Sequence, residues 1–209
     1  MTHLHRVVLL AGASGSGKSY IAHRTGLPVL CLDDFYKDGD DPTLPRRNGL
    51  VDWDSPEAWD AGAAVAAIAL LAQQGRAEVP VYALGADRRV DTRTLELTGS
   101  PLFMAEGIFA AEIVAECRRQ GLLAGAYALR RPRGTTFLRR LARDLAQRRK
   151  APGLLVRRGI ALLRAEPQVL RRQAALGAEP TRAAEVLRRV AGLGQPSVTA
   201  GRAASRTPA

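Results

Sequence analysis

Apolar and polar positions fall into blocks along this chain that predict strands and helices in turn. Arg6–Ala11 (RVVLLA) is a short apolar run ending in glycines, the pattern of a strand buried on both faces. A Gly/Ser loop at 12–19 follows, and 20–25 continues as a helix. Pro28–Leu32 predicts a second strand that opens onto Asp33 and Asp34, while 38–50, rich in Asp, Pro and Gly, predicts a loop. Asp54-Ser55-Pro56-Glu57 has the makeup of a helix start: a capping residue, then proline and an acid in the first turn. That helix should run to about Gln74, with Val65, Ile68, Leu71 and Ala72 on its apolar face and Gly75 as its stop.

Glu78–Leu84 and Arg93–Thr98 predict a hairpin around a charged turn. Pro101–Ala105 reads as another buried strand, closed by Glu106-Gly107. Beyond it the pattern predicts a helix at 110–120 stopped by Gly121, a strand at Ala124–Leu129, and an arginine-studded helix at Thr135–Arg149 ended by Pro152. A helical stretch at 154–176, interrupted near Pro167, and a short helix around 181–191 complete the ordered part. The tail Gly194–Ala209 has the composition of a disordered segment. Strands alternating with helices predict an α/β sheet of mainly parallel strands, in one domain over residues 1–193.

Charge sharpens this picture. The chain has 209 residues and a formal net charge of +11, unevenly spread. Residues 1–117 hold 10 basic against 16 acidic side chains, or −6; residues 118–209 hold 21 against 4, or +17. A basic half suits an anionic partner, and equally a solvated helix face. No apolar run approaches the length of a membrane span. The N-terminal stretch before the first Gly-rich turn is too short for a secretory signal, and two cysteines, Cys31 and Cys117, build no disulfide framework, so a reducing cytoplasmic setting is expected. Cys31 sits in an apolar run and should be buried; Cys117 should lie on a helix.

The chemistry starts at Gly12-Ala13-Ser14-Gly15-Ser16-Gly17-Lys18-Ser19, which fits GxxxxGK[ST] with a strand before it and a helix after. Glycines let several backbone N–H groups converge on one phosphate. The helix N-terminus adds partial positive charge, Lys18 a point charge and Ser19 a hydroxyl ligand for Mg²⁺. Asp33 and Asp34 stand at the end of the second strand, the edge of an open α/β sheet where ligands bind. An Asp there can take a proton from an attacking hydroxyl; as a pair they fit loop solvation or a helix cap equally well. Glu106 ends the third apolar strand, where a carboxylate can hold a Mg²⁺-bound water or position a nucleophile. Arg140 and Arg143 share a helix face, with Arg148, Arg149 and Lys150 beyond; they could clamp a phosphoryl group or, through an Arg140–Asp144 pair, merely line an outer face. No Asp-Glu pair follows an apolar strand and no NKxD segment is present, which favours a small-molecule kinase over a motor or a guanine-nucleotide switch.

Five ordered segments, GASGSGKS (12–19), LDDFYK (32–37), VDWDSPEAWD (51–60), PVYALGADRR (80–89) with AEGIF (105–109), and RRLARDLAQRRK (139–150), resemble the uridine kinase family of P-loop nucleoside kinases, close to phosphoribulokinase. The resemblance spans about residues 6–150. It implies a P-loop kinase fold: a parallel sheet of four or five strands flanked by helices, with a β-hairpin and a helical arginine-bearing lid at about 134–152. It also implies roles. Asp33 would be the base toward a ribose 5′-hydroxyl, with Tyr36 of the same motif on the substrate side. Asp54 would hold ribose hydroxyls and Tyr82 would pack on the nucleoside. Arg140, Arg143 and Arg148 would meet phosphates, Arg143 during transfer itself, and Glu106 matches the family's strand-end Glu. Tyr20, next to Ser19, falls with the nucleotide-binding loop. Two positions depart from the family pattern: Ala83 stands where an Asp is usual, and Asp87 where a His reads the pyrimidine edge. A carboxylate accepts hydrogen bonds and donates none at neutral pH, so Asp87 would favour a different base edge or a different acceptor. The late apolar strand of the family is not evident after 150, so the sheet either loses an edge strand or has it covered by a helix.

The expected activity is transfer of phosphate from Mg-ATP, or GTP, to the 5′-hydroxyl of uridine or cytidine. A homo-oligomer is possible, and neither membrane nor nucleic acid is expected as partner. The alternatives are a P-loop kinase for pantothenate, a sugar or a sugar phosphate, and a nucleotide- or nucleic-acid-binding regulator built on the basic half. Only Tyr127 and Phe137 supply aromatics after residue 118, which weighs against stacking on single strands.

Overall fold

The structure is a computed structural model that describes residues 5–130 and 167–193. In chain order its elements are β1 (Arg6–Ala11), α1 (Lys18–Arg24), β2 (Val29–Cys31), β3 (Arg46–Arg47), β4 (Leu50–Val51), α2 (Ala61–Gln74), β5 (Arg76–Ala83), β6 (Arg88–Glu96), β7 (Leu102–Gly107), α3 (Val114–Arg119) and β8 (Leu123–Arg130). A helix α4 at 167–175, then β9 (Glu179–Arg182) and α5 (Ala183–Leu193), follow. The central sheet runs β2-β7-β1-β8-β9, and every pairing in it is parallel.

The unbroken apolar runs have a direct cause. Val7, Leu9 and Ala11 of β1 pack into a core shared with α2 and α3, while Val8 and Leu10 pack on the other face with Ile21 and Ala22 of α1 and Val186 and Val190 of α5. Alternate residues thus enter opposite layers, so both must be apolar. β7 is buried at all six positions for the same reason. The register sets Leu10 beside Glu106, Ala11 beside Gly107, and Cys31 on the other side of Glu106. The ends of β1, β7 and β2 therefore form one ledge, with Glu106 in the middle.

Several boundaries differ from the sequence expectation. The helix predicted from Asp54 begins at Ala61. Ser55 caps only a 3-10 turn at Pro56–Ala58, its oxygen accepting from Glu57 N–H at 3.4 Å. Trp59 is then extended, with φ −119° and ψ 141°. Its indole donates to the Leu32 carbonyl at 2.7 Å and its backbone bridges to Tyr36. That tertiary anchor interrupts the helix, and Asp60 caps the new start by accepting from Ala63 N–H at 2.8 Å. The helix placed at 110–120 opens as a 3-10 turn, Ala110–Ile113, before α3. The hairpin is present, but β6 starts at Arg88 rather than Arg93, leaving only residues 84–87 as the turn.

The edge strand that the sequence hid is β9. It pairs with β8 from Tyr127↔Glu179 to Arg130↔Arg182. Its sequence, EPTR, buries only Thr181. Pro180 is tolerated at an edge position because no ladder bond is required of its nitrogen there. The arginine lid expected at about 134–152, the part of the 154–176 helical stretch before Pro167 and the tail at 194–209 lie outside the described residues. Cys117 lies on a helix, α3, as expected, and is buried there; Cys31, expected to be buried, is only half-buried.

Candidate functional site

Gly12–Ser19 connects β1 to α1 at the carboxyl ledge of the sheet. Gly15 and Gly17 have φ of 78° and 86°, a region costly for side-chain-bearing residues. Gly17 caps α1 without a side chain, which leaves the helix's first N–H groups facing the loop. A Cβ at Gly12 would meet Ser16 Oγ at 3.0 Å and Lys18 Cδ at 3.4 Å, so the concavity has room only for backbone. Tyr20 is exposed and lies under the Arg24 guanidinium at 5.8 Å.

Lys18 is buried at 6% exposure, and Ser19 Oγ donates to Glu106 Oε1 at 2.6 Å. Glu106 itself is 4% exposed, and its Oε2 is buried without a partner among the described residues, as is Ser16 Oγ. Burial pushes the Glu106 carboxyl above the usual carboxylate range, opposed by the Lys18 ammonium and the Ser19 hydrogen bond and reinforced by the Asp33 charge. A buried carboxylate, a hydroxyl on it and an orphaned second oxygen fit an oxygen-seeking divalent cation that phosphates would complete. Among the described residues no cluster of three or more His, Cys, Asp or Glu could bind a metal without a ligand's help.

The raised Glu106 carboxyl has a stability consequence. A group whose proton is held more tightly in the fold stabilises it below the unfolded-state value and loses that contribution as pH rises through the folded value. Glu106→Gln should therefore melt no lower than the native chain at pH 7 in the absence of nucleotide. The difference should shrink as the buffer is taken toward pH 4. Thermal unfolding across that range checks it; a native chain more stable than the variant at pH 7 would contradict the desolvation account.

The two neighbouring acids, indistinguishable by sequence, do different things. Asp33 Oδ1 accepts from Ile108 N–H at 3.1 Å, just past β7, which turns its carboxylate toward the ledge. Asp34 Oδ1 instead accepts from Tyr82 N–H at 3.4 Å and ties the hairpin to the end of β2. Gly107 makes the Asp33 position possible: a Cβ there would stand 2.7 Å from Leu32 Cβ and 3.0 Å from Asp33 Oδ1. Gly107→Ala should cost about 1–3 kcal/mol by overpacking and displace Asp33, a loss that chemical denaturation would measure.

Beside Asp33 lies an aromatic wall. Tyr36 is edge-on to Trp53 at 5.8 Å and to Phe109 at 5.9 Å, and tilted against Tyr82 at 5.9 Å. Its hydroxyl donates to the Trp53 carbonyl at 3.2 Å, and the Tyr82 hydroxyl donates to the Lys37 carbonyl at 3.1 Å. Asp54 is exposed at the rim of this wall, and its charge, after burial and Asp33, helps push the Tyr36 phenol up. Asp87 is exposed in the hairpin turn with φ 49°. Its carbonyl accepts from Gly39 N–H at 2.6 Å, and Asp38 Oδ1 accepts from Arg89 N–H at 2.7 Å, which locks the turn to the 38–41 loop. Arg140, Arg143 and Arg148 lie outside the described residues.

Trp53, Phe109 and Gln173 belong to this neighbourhood and were not singled out by sequence. Gln173 of α4 is buried and donates to the Ile108 carbonyl at 3.3 Å, in the peptide that follows the one whose N–H Asp33 accepts from. Nothing in its sequence context signals this. The Cys31 thiol, pushed up to about 12 by burial and then by Asp34, Asp33 and Glu106, is no nucleophile.

No protein-family model matches the chain. It is 27% identical over 150 residues to a uridine kinase of Lactobacillus johnsonii, covering 68% of this chain and 69% of that one. It is 32% identical over 151 residues to a uridine kinase of Schizosaccharomyces pombe, covering 68% of this chain but 32% of that longer protein. Among solved structures it superposes with TM-score 0.60 and 21% identity on a chain described as a candidate fructose transport system kinase from Silicibacter sp., over 85% of this chain and 89% of that one. With a phosphate loop, a parallel five-stranded sheet and these relatives, the chain is a P-loop phosphotransferase with an alcohol acceptor, related to the uridine kinases.

Proposed function

We propose that the chain transfers the γ-phosphoryl group of Mg-ATP to the 5′-hydroxyl of a nucleoside, uridine or cytidine, giving the monophosphate and ADP. The observation that carries the reading is the ledge itself. Lys18, Ser19 and Glu106 from β1–α1 and β7 lie beside Asp33, which follows β2 in the Leu32–Phe35 turn, and this supports reading them as a phosphate cradle and a base on one edge. Asp33 takes the hydroxyl proton as the acceptor oxygen forms its bond to phosphorus and the bond to the ADP oxygen breaks. Lys18 and the backbone N–H groups of Gly12–Ser19 hold the phosphates as charge shifts. Ser19 and Glu106 would hold Mg²⁺, which supplies charge neutralisation at the phosphate oxygens when bound. Tyr36, Tyr82 and Trp53 offer the acceptor a rigid apolar wall, and Asp54 at its rim offers an acceptor for sugar hydroxyls.

The test is ADP release over a panel of nucleosides with ATP or GTP as donor. Turnover with uridine or cytidine supports the reading. Turnover confined to pantothenate or a sugar would replace the acceptor. The exposed Asp87, a carboxylate in the hairpin turn, supports that second reading.

A further inference from the structure

Two bonds meet at Ile108, the first residue after β7. Its N–H donates to Asp33 Oδ1 at 3.1 Å, and its carbonyl accepts from Gln173 Nε2 at 3.3 Å. The two groups belong to successive peptides, so only the φ and ψ of one residue separate the planes that Asp33 and Gln173 hold. Ahead of Ile108, a Cβ at Gly107 would stand 2.7 Å from Leu32 Cβ, which fixes the approach of that backbone. Behind it, Phe109 is buried against Tyr36 and Trp59.

Gln173 is a costly way to grip this linkage. It is 4% exposed, and its Oε1 is buried with no partner among the described residues. The other two buried side-chain atoms in that condition are Ser16 Oγ and Glu106 Oε2, both beside the phosphate loop. A buried acceptor without a donor is unfavourable, and an apolar side chain of the same length would fill the space without that cost. Packing therefore does not account for an amide at 173; the donation to Ile108 does. Docking of α4 has a separate tie, Arg172 to Glu112 at 3.0 Å. We infer that Gln173 is a positioning residue for phosphoryl transfer: by holding the Ile108 carbonyl it sets the amide that aims the Asp33 carboxylate at the acceptor hydroxyl. The inference rests on the reading of Asp33 as the base, and Gln173 acts through Asp33 rather than on the reacting atoms.

Steady-state kinetics of the full chain test it, with amide exchange and thermal unfolding alongside. Gln173→Met keeps the length of the side chain. It removes an unpartnered acceptor and takes the donor from the Ile108 carbonyl, changes that oppose each other, so the unfolding temperature should move little. Exchange at the Ile108 amide should quicken. kcat should fall by about tenfold, with KM for nucleotide and acceptor within about twofold of native. Asp33→Asn keeps the Ile108 bond but takes no proton. Adding Gln173→Met to it should change the residual rate by less than about twofold, because the two residues act as one unit. Arg172→Ala, which loosens the same helix without touching Ile108, should keep native kcat. Gln173→Asn, an amide one methylene short of the carbonyl, should lose kcat as Gln173→Met does and serves in its place if methionine does not fold. Native kcat in both Gln173 variants, a loss confined to KM, a full further loss on top of Asp33→Asn, or an equal loss in Arg172→Ala would each overturn the inference while the native chain remains active. A native chain that phosphorylates no alcohol offered would remove the transfer reading itself, and the inference with it.

Discussion

Replacing Asp33 with Asn should lower kcat by about 10²–10⁴-fold while nucleotide affinity changes little. The substitution isolates the proton-accepting role. Asp33 Oδ1 accepts from Ile108 N–H, and the amide oxygen of Asn can keep that bond. Loop position and fold should survive, and only the capacity to take a proton is lost. Single-turnover kinetics with saturating nucleotide would read the effect on the chemical step, with unfolding curves run alongside. A loss below about threefold would make Asp33 a clip for the chain beyond β7 rather than a general base.

Lys18→Ala should abolish phosphoryl transfer, by about 10³-fold or more, with the fold intact. Lys18 is one of few buried polar residues in the described structure, and its ammonium is the main favourable charge felt by Glu106. Its removal takes a cation from the phosphate cradle and leaves Glu106 with the Ser19 hydroxyl and the weaker influence of His23 opposing desolvation. Lys18→Met, which keeps most of the stem that packs near Gly12, separates charge from packing. Both variants should lose turnover and remain folded; near-native turnover in either would remove Lys18 from the reaction.

What the sequence made legible, and what it did not, follows from where the determining contacts lie. β1, the phosphate loop and α1 were readable because local chemistry dictates them: an apolar run buried on two faces, then glycines at positive φ, then a helix start. The five-stranded parallel count fell within the expected range. β9 was invisible because an edge strand that buries one side chain carries no hydrophobic period. The start of α2 was misplaced because Ser55 and Pro56 give a valid local signal that a distant contact overrides, Trp59 reaching the Leu32 carbonyl. Asp33 and Asp34 looked interchangeable because the two amides that separate them, on Ile108 and Tyr82, lie 75 and 48 residues away in the chain.

Gln173 ends this chain of dependence. It is held on a helix that returns to the sheet after residue 166, yet it bonds the carbonyl of the same residue, Ile108, whose N–H anchors Asp33. The N-terminal 130 residues contain every acid and hydroxyl of the ledge, but not the brace behind it, nor the strand that covers β8, nor the valines of α5 beneath β1. A chain cut at Arg130 would keep the vocabulary of the reaction and lose its grammar: Asp33 would rest against Ile108 with no brace on that residue's carbonyl.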